Sequence, residues 1–157
     1  MWDKVLVNII DDIDIKIVNL LLNNGRLSDQ AIAENVGLSK TAIRNRRLEL
    51  ERRGIIKIVG LLVIQNTKLV YDDIFVKFKL NITKAAIDKF IEKCVNDETV
   101  YEVTEYIDHY DLLIRLFETN QYKIKEHITD IIKNDDIIAE YLIIPAIKSE
   151  KAWGIKL

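Results

Sequence analysis

Between Lys40 and Lys57 the chain carries Lys40, Arg44, Arg46, Arg47, Arg52, Arg53 and Lys57 against only Glu49 and Glu51, a local charge of +5. Arginine offers a planar fork of donors that matches guanine edges and phosphates, while lysine meets phosphate as a point charge. The chemistry on offer is the binding of a polyanion. Ile43 and Leu50 fall on one face of a 3.6-residue helix. Ser39 can accept from the first free backbone N–H groups, and Gly54 can supply the left-handed residue that ends the helix. A helix with one apolar seam and a cationic front suits a major groove. On this reading Ser39 opens the helix at the DNA. Lys40, Thr41, Arg44 and Asn45 stand near base edges, with Arg46, Arg47 and Arg52 nearer phosphates. A charge run alone more often marks a solvated face, so the weight falls on its context.

No catalytic constellation competes with this reading. His109 and His127 fall on different elements, and no Cys/His/Asp cluster has metal-ligand spacing. The five glycines are scattered, so no phosphate-cradling loop forms. Cys94 is the single cysteine, which rules out an internal disulfide and points to a reducing compartment. It reads as a small apolar core residue. His109 is expected in a solvated turn and His127 on a helix surface. The expectation is a non-enzyme with no cofactor and no metal.

A basic helix functions only if other elements hold it. Upstream, Asp11 opens a helix, with Asp14 where a capping-box acid reaches back. Ile13, Ile17, Leu20 and Leu21 keep helical spacing, and Asn23-Asn24-Gly25 stops the run. Ser28 caps a second helix over 29–35 with Ile32 and Ala33 inward, and Val36-Gly37-Leu38 turns into the basic helix. The first nine residues are apolar-rich and suit a short helix or a packing arm, with Trp2 as an anchor. Three capped helices, the last two joined by a glycine turn, make a helix-turn-helix.

Downstream the period changes. Residues 57–64 are β-rich and read as a connecting strand, followed by a linker with a boundary near residue 66. Residues 74–80 read as a strand with Ile74, Val76, Phe78 and Leu80 on one side. Thr83 can cap a helix with Ile87, Phe90, Ile91 and Cys94 inward. Strands over 100–107 and 110–117 are joined by a tight Asp108-His109 turn. A helix over 122–133 buries Ile124, Ile128, Ile131 and Ile132. The last strand spans 137–147, with Pro145 as an edge strand tolerates. The order β-α-β-β-α-β is that of a ferredoxin-like fold. The class is α+β: helix-turn-helix over 1–56, connecting strand and linker over 57–69, ferredoxin-like domain over 70–157.

Bulk properties agree with a division of labour. Of 157 residues, 49% are hydrophobic, ample for cores, and the net charge is −2. Residues 1–69 carry +3 and residues 70–157 carry −5, so the positive charge sits with the helices. Asp3, Lys4 and Asp11 interrupt any signal-peptide core, and no uncharged run nears the ~20 residues of a membrane span. A cytoplasmic protein is expected.

The pattern Asp11-x-x-Asp14-x-x-Ile17, with Asn24-Gly25-Arg26, Ser28, Ala33, Val36-Gly37-Leu38-Ser39, Ile43, Arg46, Leu50-Glu51 and Gly54-Ile55-Ile56, resembles the N-terminal domain of the Lrp/AsnC regulators. It runs without a gap over some 45 residues. The family usually has an aliphatic residue at position 47 and a basic one at 48, where this chain has Arg47 and Leu48. Element order, Val100 and Tyr110-Asp111-Leu112-Leu113 resemble the family's effector and oligomerisation domain. The resemblance implies a transcriptional regulator that binds double-stranded DNA as a dimer, with assembly to tetramers or octamers, and a small amino-acid effector between second domains. The family's pocket uses a Gly-x-x-Asp turn and threonines on the last strand. This chain keeps Asp111 but has Asp108 for the glycine and Glu140 and Leu142 for the threonines. The added carboxylate opposes a ligand carboxylate, so Asp108, Tyr110 and Asp111 read either as a site for something cationic or polar or as hairpin structure that binds nothing. Two other readings share the plan: a chromosome-organising protein of low sequence preference, and a siroheme-decarboxylase-like enzyme. The latter group has a Phe-Pro-rich segment in place of residues 24–28, which this chain lacks.

Overall fold

The computed structural model describes residues 3–132 and 135–157. It divides into two compact units, 1–61 and 62–157, each with its own core.

In the first unit a short α1 (Asp3–Leu6) precedes α2 (Asp12–Asn23), α3 (Asp29–Val36) and α4 (Lys40–Arg52). Side-chain caps set the starts. Asp11 accepts from the Asp14 N–H at 2.8 Å, Ser28 from Ala31 at 3.1 Å and Ser39 from Ala42 at 3.2 Å, each filling an orphan donor of a first turn. Asp14 does not reach back as a capping-box acid; its carboxylate is turned onto Arg46. Gly37, at φ 81°, turns α3 into α4. Gly54, at φ 68°, follows Arg53, the C-cap of α4, and the Ile55 N–H returns to the Leu50 carbonyl at 2.9 Å. That closes a Schellman motif which folds Ile55 onto the core. Ile17, Ile32, Ile43 and Leu50 are its fully buried centre. Trp2 lies outside the described residues.

The expected connecting strand over 57–64 does not form. Residues 57–63 have no ladder partner among the described residues, and a single 3-10 turn spans Ile64–Asn66. Branched side chains favour extended backbone, but a strand also needs a neighbour for its N–H and C=O groups. Val59 and Leu62 remain exposed.

The second unit runs β1 (Val70–Phe78), α5 (Lys84–Val95), β2 (Val100–Glu105), β3 (Leu112–Glu118), α6 (Gln121–Ile132) and β4 (Ile138–Ala146). The sheet order β2-β3-β1-β4 is fully antiparallel, the ferredoxin-like arrangement. Ile74, Val76, Phe78, Leu112, Ile114 and Leu116 meet Phe90 and Cys94 of α5 and the four inward isoleucines of α6. Pro145 sits on the edge strand β4, where its missing N–H costs no inner ladder bond. Lys133, the expected end of α6, lies outside the described residues.

Two local features differ from expectation. The β2–β3 connection is not a two-residue turn. It closes through the Tyr106 N–H and the Asp111 carbonyl at 2.8 Å, with Ile107 to Tyr110 between them. A type I′ turn needs positive φ at both central residues, and here Asp108 has it (φ 147°) while His109 does not. After β4 a small hairpin, β5 (Lys151–Ala152) and β6 (Ile155–Lys156), turns through Trp153 and Gly154, both at positive φ. Gly154 was its only local signal.

Candidate nucleic-acid interface

The seven cations from Lys40 to Lys57 do not share one fate. Arg46 donates from Nη1 to Asp11 Oδ2 at 2.6 Å and to Asp14 Oδ1 at 2.8 Å, tying α4 to the start of α2. Arg47 donates from Nε to Asp29 Oδ1 at 2.7 Å and from Nη2 to Asp29 Oδ2 at 3.2 Å, tying α4 to the start of α3. Its Nη1 also reaches Glu51 at 2.6 Å. Both are half-buried beside the Ile43/Leu50 seam. The carboxylates respond: the Asp14 N–H and then Arg46 hold Asp11 below the usual aspartate range, and the Arg47 guanidinium does the same for Asp29. Arg52 pairs with Glu49 on the solvent side.

Lys40, Thr41, Arg44 and Asn45 are exposed, and none makes a side-chain hydrogen bond or ion pair among the described residues. They occupy the first two turns of α4. The structure also decides between Arg47 and Leu48: Arg47 turns towards α3 and Leu48 lies on the outward side, 45% exposed. A forked carboxylate on the neighbouring helix draws the guanidinium inward while its stem covers apolar surface. Position 47 therefore holds a brace between α4 and α3.

At the β2–β3 turn, the Asp111 carboxylate accepts the Phe78 N–H at 2.8 Å, so it secures the end of β1. Tyr110 donates to Glu140 Oε1 at 3.3 Å, and the His109 ring lies edge-on to it. Asp108 is exposed on a strained backbone. Lys77 donates from Nζ to the His109 carbonyl.

His127 is not on the surface as expected. It is half-buried, with Nε2 2.7 Å from Asp97 Oδ2 and Nδ1 3.5 Å from Glu118 Oε1. The spacing of α6 carries no sign of these partners; only the fold brings Asp97 and Glu118 to it. These three residues line a shallow cavity of about 430 Å³. Cys94 is fully buried, and burial pushes its thiol up to about 12, so it is an inert core residue. Among the described residues no group of three His, Cys, Asp or Glu is disposed to hold a metal, and no helix is long and apolar enough to cross a membrane.

A braced helix-turn-helix followed by an antiparallel split βαβ sheet defines a two-domain regulator. Residues 10–51 match the AsnC-type helix-turn-helix domain. The chain is 31% identical over 142 residues to the uncharacterized HTH-type transcriptional regulator PH1055 of Pyrococcus horikoshii, covering 90% of this chain and 89% of that protein. It belongs to the Lrp/AsnC family of transcriptional regulators. Two solved structures share the fold. The crystal structure of PH0061 has a TM-score of 0.80 at 21% identity and covers 94% of this chain and 97% of its own. The transcriptional regulator NMB0573 of Neisseria meningitidis, solved as an L-Met complex, has a TM-score of 0.77 at 24% identity over 91% of this chain and 93% of its own.

Proposed function

We propose that this chain is a sequence-specific, DNA-binding transcriptional regulator that acts as a dimer or higher oligomer in the cytoplasm. The observation that carries this is the sorting of the cations on α4. Arg46 and Arg47 are neutralised within the protein, while Lys40, Thr41, Arg44 and Asn45 project unpartnered from its first two turns. The first turns of a recognition helix are those that meet base edges. Ser39 fixes their start and brings backbone N–H groups near phosphate. Arg44 and Asn45 suit guanine and adenine edges, Lys40 suits phosphate, and Arg52 reaches phosphate once it leaves Glu49. Arg46 and Arg47 serve the interface by fixing the angle at which α4 is presented.

One such helix gives too little affinity, so the protein needs a pair. The second unit offers the surface for pairing. The sheet face turned away from α5 and α6 is open in part and carries Tyr101, Tyr106, Leu142 and Ile144, each more than two-fifths exposed. They flank the ion-paired row Glu102–Arg115–Asp73, and exposed apolar side chains grouped in this way mark an interaction site. Two copies joined there would present paired helices to half-sites ~10 bp apart or a multiple of that. Assembly to tetramers or octamers follows the family plan.

The effector reading narrows. Asp111 is committed to the backbone of Phe78, which leaves Tyr110, Glu140 and the Asp108 carboxylate at the turn. That NMB0573 was solved as a complex with L-Met supports an amino-acid-like effector. In this chain the carboxylates at 108 and 140 favour a ligand whose positive end faces the turn.

Selection of bound duplexes from a random pool tests the proposal. Enrichment of a two-fold symmetric sequence supports it. Equal retention of all sequences at low salt points to an organising role, and retention of none removes DNA from the function.

A further inference from the structure

The outward line of α4 contains one residue that cannot donate or accept a hydrogen bond. Thr41, Arg44, Asn45 and Leu48 are spaced i, i+3, i+4 and i+7, so they lie along one side of the helix. All four are exposed. Leu48 is on this front because Arg47 has turned inward to Asp29 and Glu51. Charge complementarity points the surface to nucleic acid, since Arg44 on it and Lys40 beside it are exposed and make no ion pair among the described residues. Solvent contributes nothing to a leucine there, and phosphate would be worse.

The edges of bases in a major groove present donors, acceptors and a single apolar group, the C5-methyl of thymine. Resting on the DNA-binding function proposed above, we infer that Leu48 is a specificity-determining residue that packs against a thymine methyl in each half-site. Spacing places that thymine. Leu48 stands four residues beyond Arg44, ~6 Å along the helix axis. With base pairs stacked at about 3.4 Å, the thymine lies about two base pairs from the position that Arg44 reads. The apolar contact thus extends the reading frame set by the polar residues and rejects cytosine at that position.

The experiment uses the full chain and the duplex recovered by selection, with each thymine replaced singly by uracil, which removes only the methyl group. Affinity is followed by fluorescence anisotropy. At one symmetry-related pair of positions each uracil should weaken wild-type binding about fourfold, the worth of one buried methyl. Leu48→Ala should bind thymine and uracil duplexes alike, Leu48→Met should keep the discrimination, and Leu48→Lys should bind all duplexes more tightly while losing it. Circular dichroism melting confirms that each variant is folded. The inference is overturned if no thymine matters to the wild type while the duplex is still bound. It is equally overturned if Leu48→Ala keeps the full discrimination. Failure to bind any duplex would instead overturn the DNA-binding function itself.

Discussion

Arg47 grips Asp29 with two parallel donors, Nε to Oδ1 at 2.7 Å and Nη2 to Oδ2 at 3.2 Å, across the gap between α4 and the first turn of α3. The carboxylate already sits at the positive end of α3, so one ion pair joins the two helices and satisfies a helix terminus. Arg47→Ala should cost about 1.5–3 kcal/mol in urea denaturation, as loss of a charge-assisted, partly buried hydrogen bond does. Arg47→Leu should cost less, because it restores apolar packing and Asp29 keeps the helix end as its partner. A phosphate contact would give the reverse: unchanged stability and weakened binding.

The same contact makes a pH prediction. Asp29 is held low chiefly by Arg47, and Asp11 by the Asp14 N–H and then Arg46. A depressed folded value means the unfolded chain binds the proton more readily. The stabilisation is complete above the ordinary aspartate range, about pH 4, and is lost as pH falls through the depressed values. Acid unfolding followed by circular dichroism should begin at higher pH in a marginally stable background. Asp29→Asn should flatten the stability-versus-pH curve below about pH 4 while leaving its slope near neutrality unchanged.

What the sequence disclosed was local. Ser28, Ser39 and Thr83 announce helix starts because a cap and its donor lie three residues apart. The inward isoleucines of α6 announce their face by period alone. Pairing over long range left no such trace. Residues 57–63 have the composition of a strand but no ladder partner among the described residues, and nothing in that run encodes the lack. His127 gave no hint of Asp97 and Glu118, which stand 30 and 9 residues away along the chain. The cations of α4 were legible as charge. Which of them are neutralised internally depends on where α2 and α3 put Asp11, Asp14 and Asp29, a tertiary fact.

Asp108 carries φ 147°, a conformation natural to glycine and costly for any residue with a Cβ. Asp108→Gly should raise stability by about 1 kcal/mol, the relief of strain (1–3 kcal/mol) less the added freedom of the unfolded chain. Asp108→Ala keeps the strain and should not stabilise. Thermal melts of the three proteins at equal concentration separate backbone relief from removal of charge: a gain shared by both variants would place the effect in the carboxylate instead.

Pairing through the open sheet face is testable with exposed residues. Leu142 and Ile144 lie on β4 opposite Phe75 and Asp73 and contribute little to the core of a single copy. Leu142→Arg with Ile144→Asp should therefore leave the fold intact. In sedimentation velocity the pair of changes should shift the proposed dimer towards monomer. Unchanged sedimentation would place the interface elsewhere.

The division of labour on α4 predicts two different losses of affinity. Arg44 stands in the second turn, exposed and unpaired, with the bidentate fork that guanine requires. Arg44→Ala should cost about 1–3 kcal/mol on the selected site and relax selection at one position per half-site, with little effect on random duplex. Lys40 opens the helix, where an ammonium meets phosphate as a point charge. Lys40→Ala should weaken specific and random duplexes alike and lower the salt slope by about 1 for each helix engaged. Titrations of both variants on both duplexes at several salt concentrations decide between the roles. Were Arg44→Ala to reduce the salt slope without relaxing sequence preference, its guanidinium would be a phosphate contact and base reading would pass to Asn45 and Thr41.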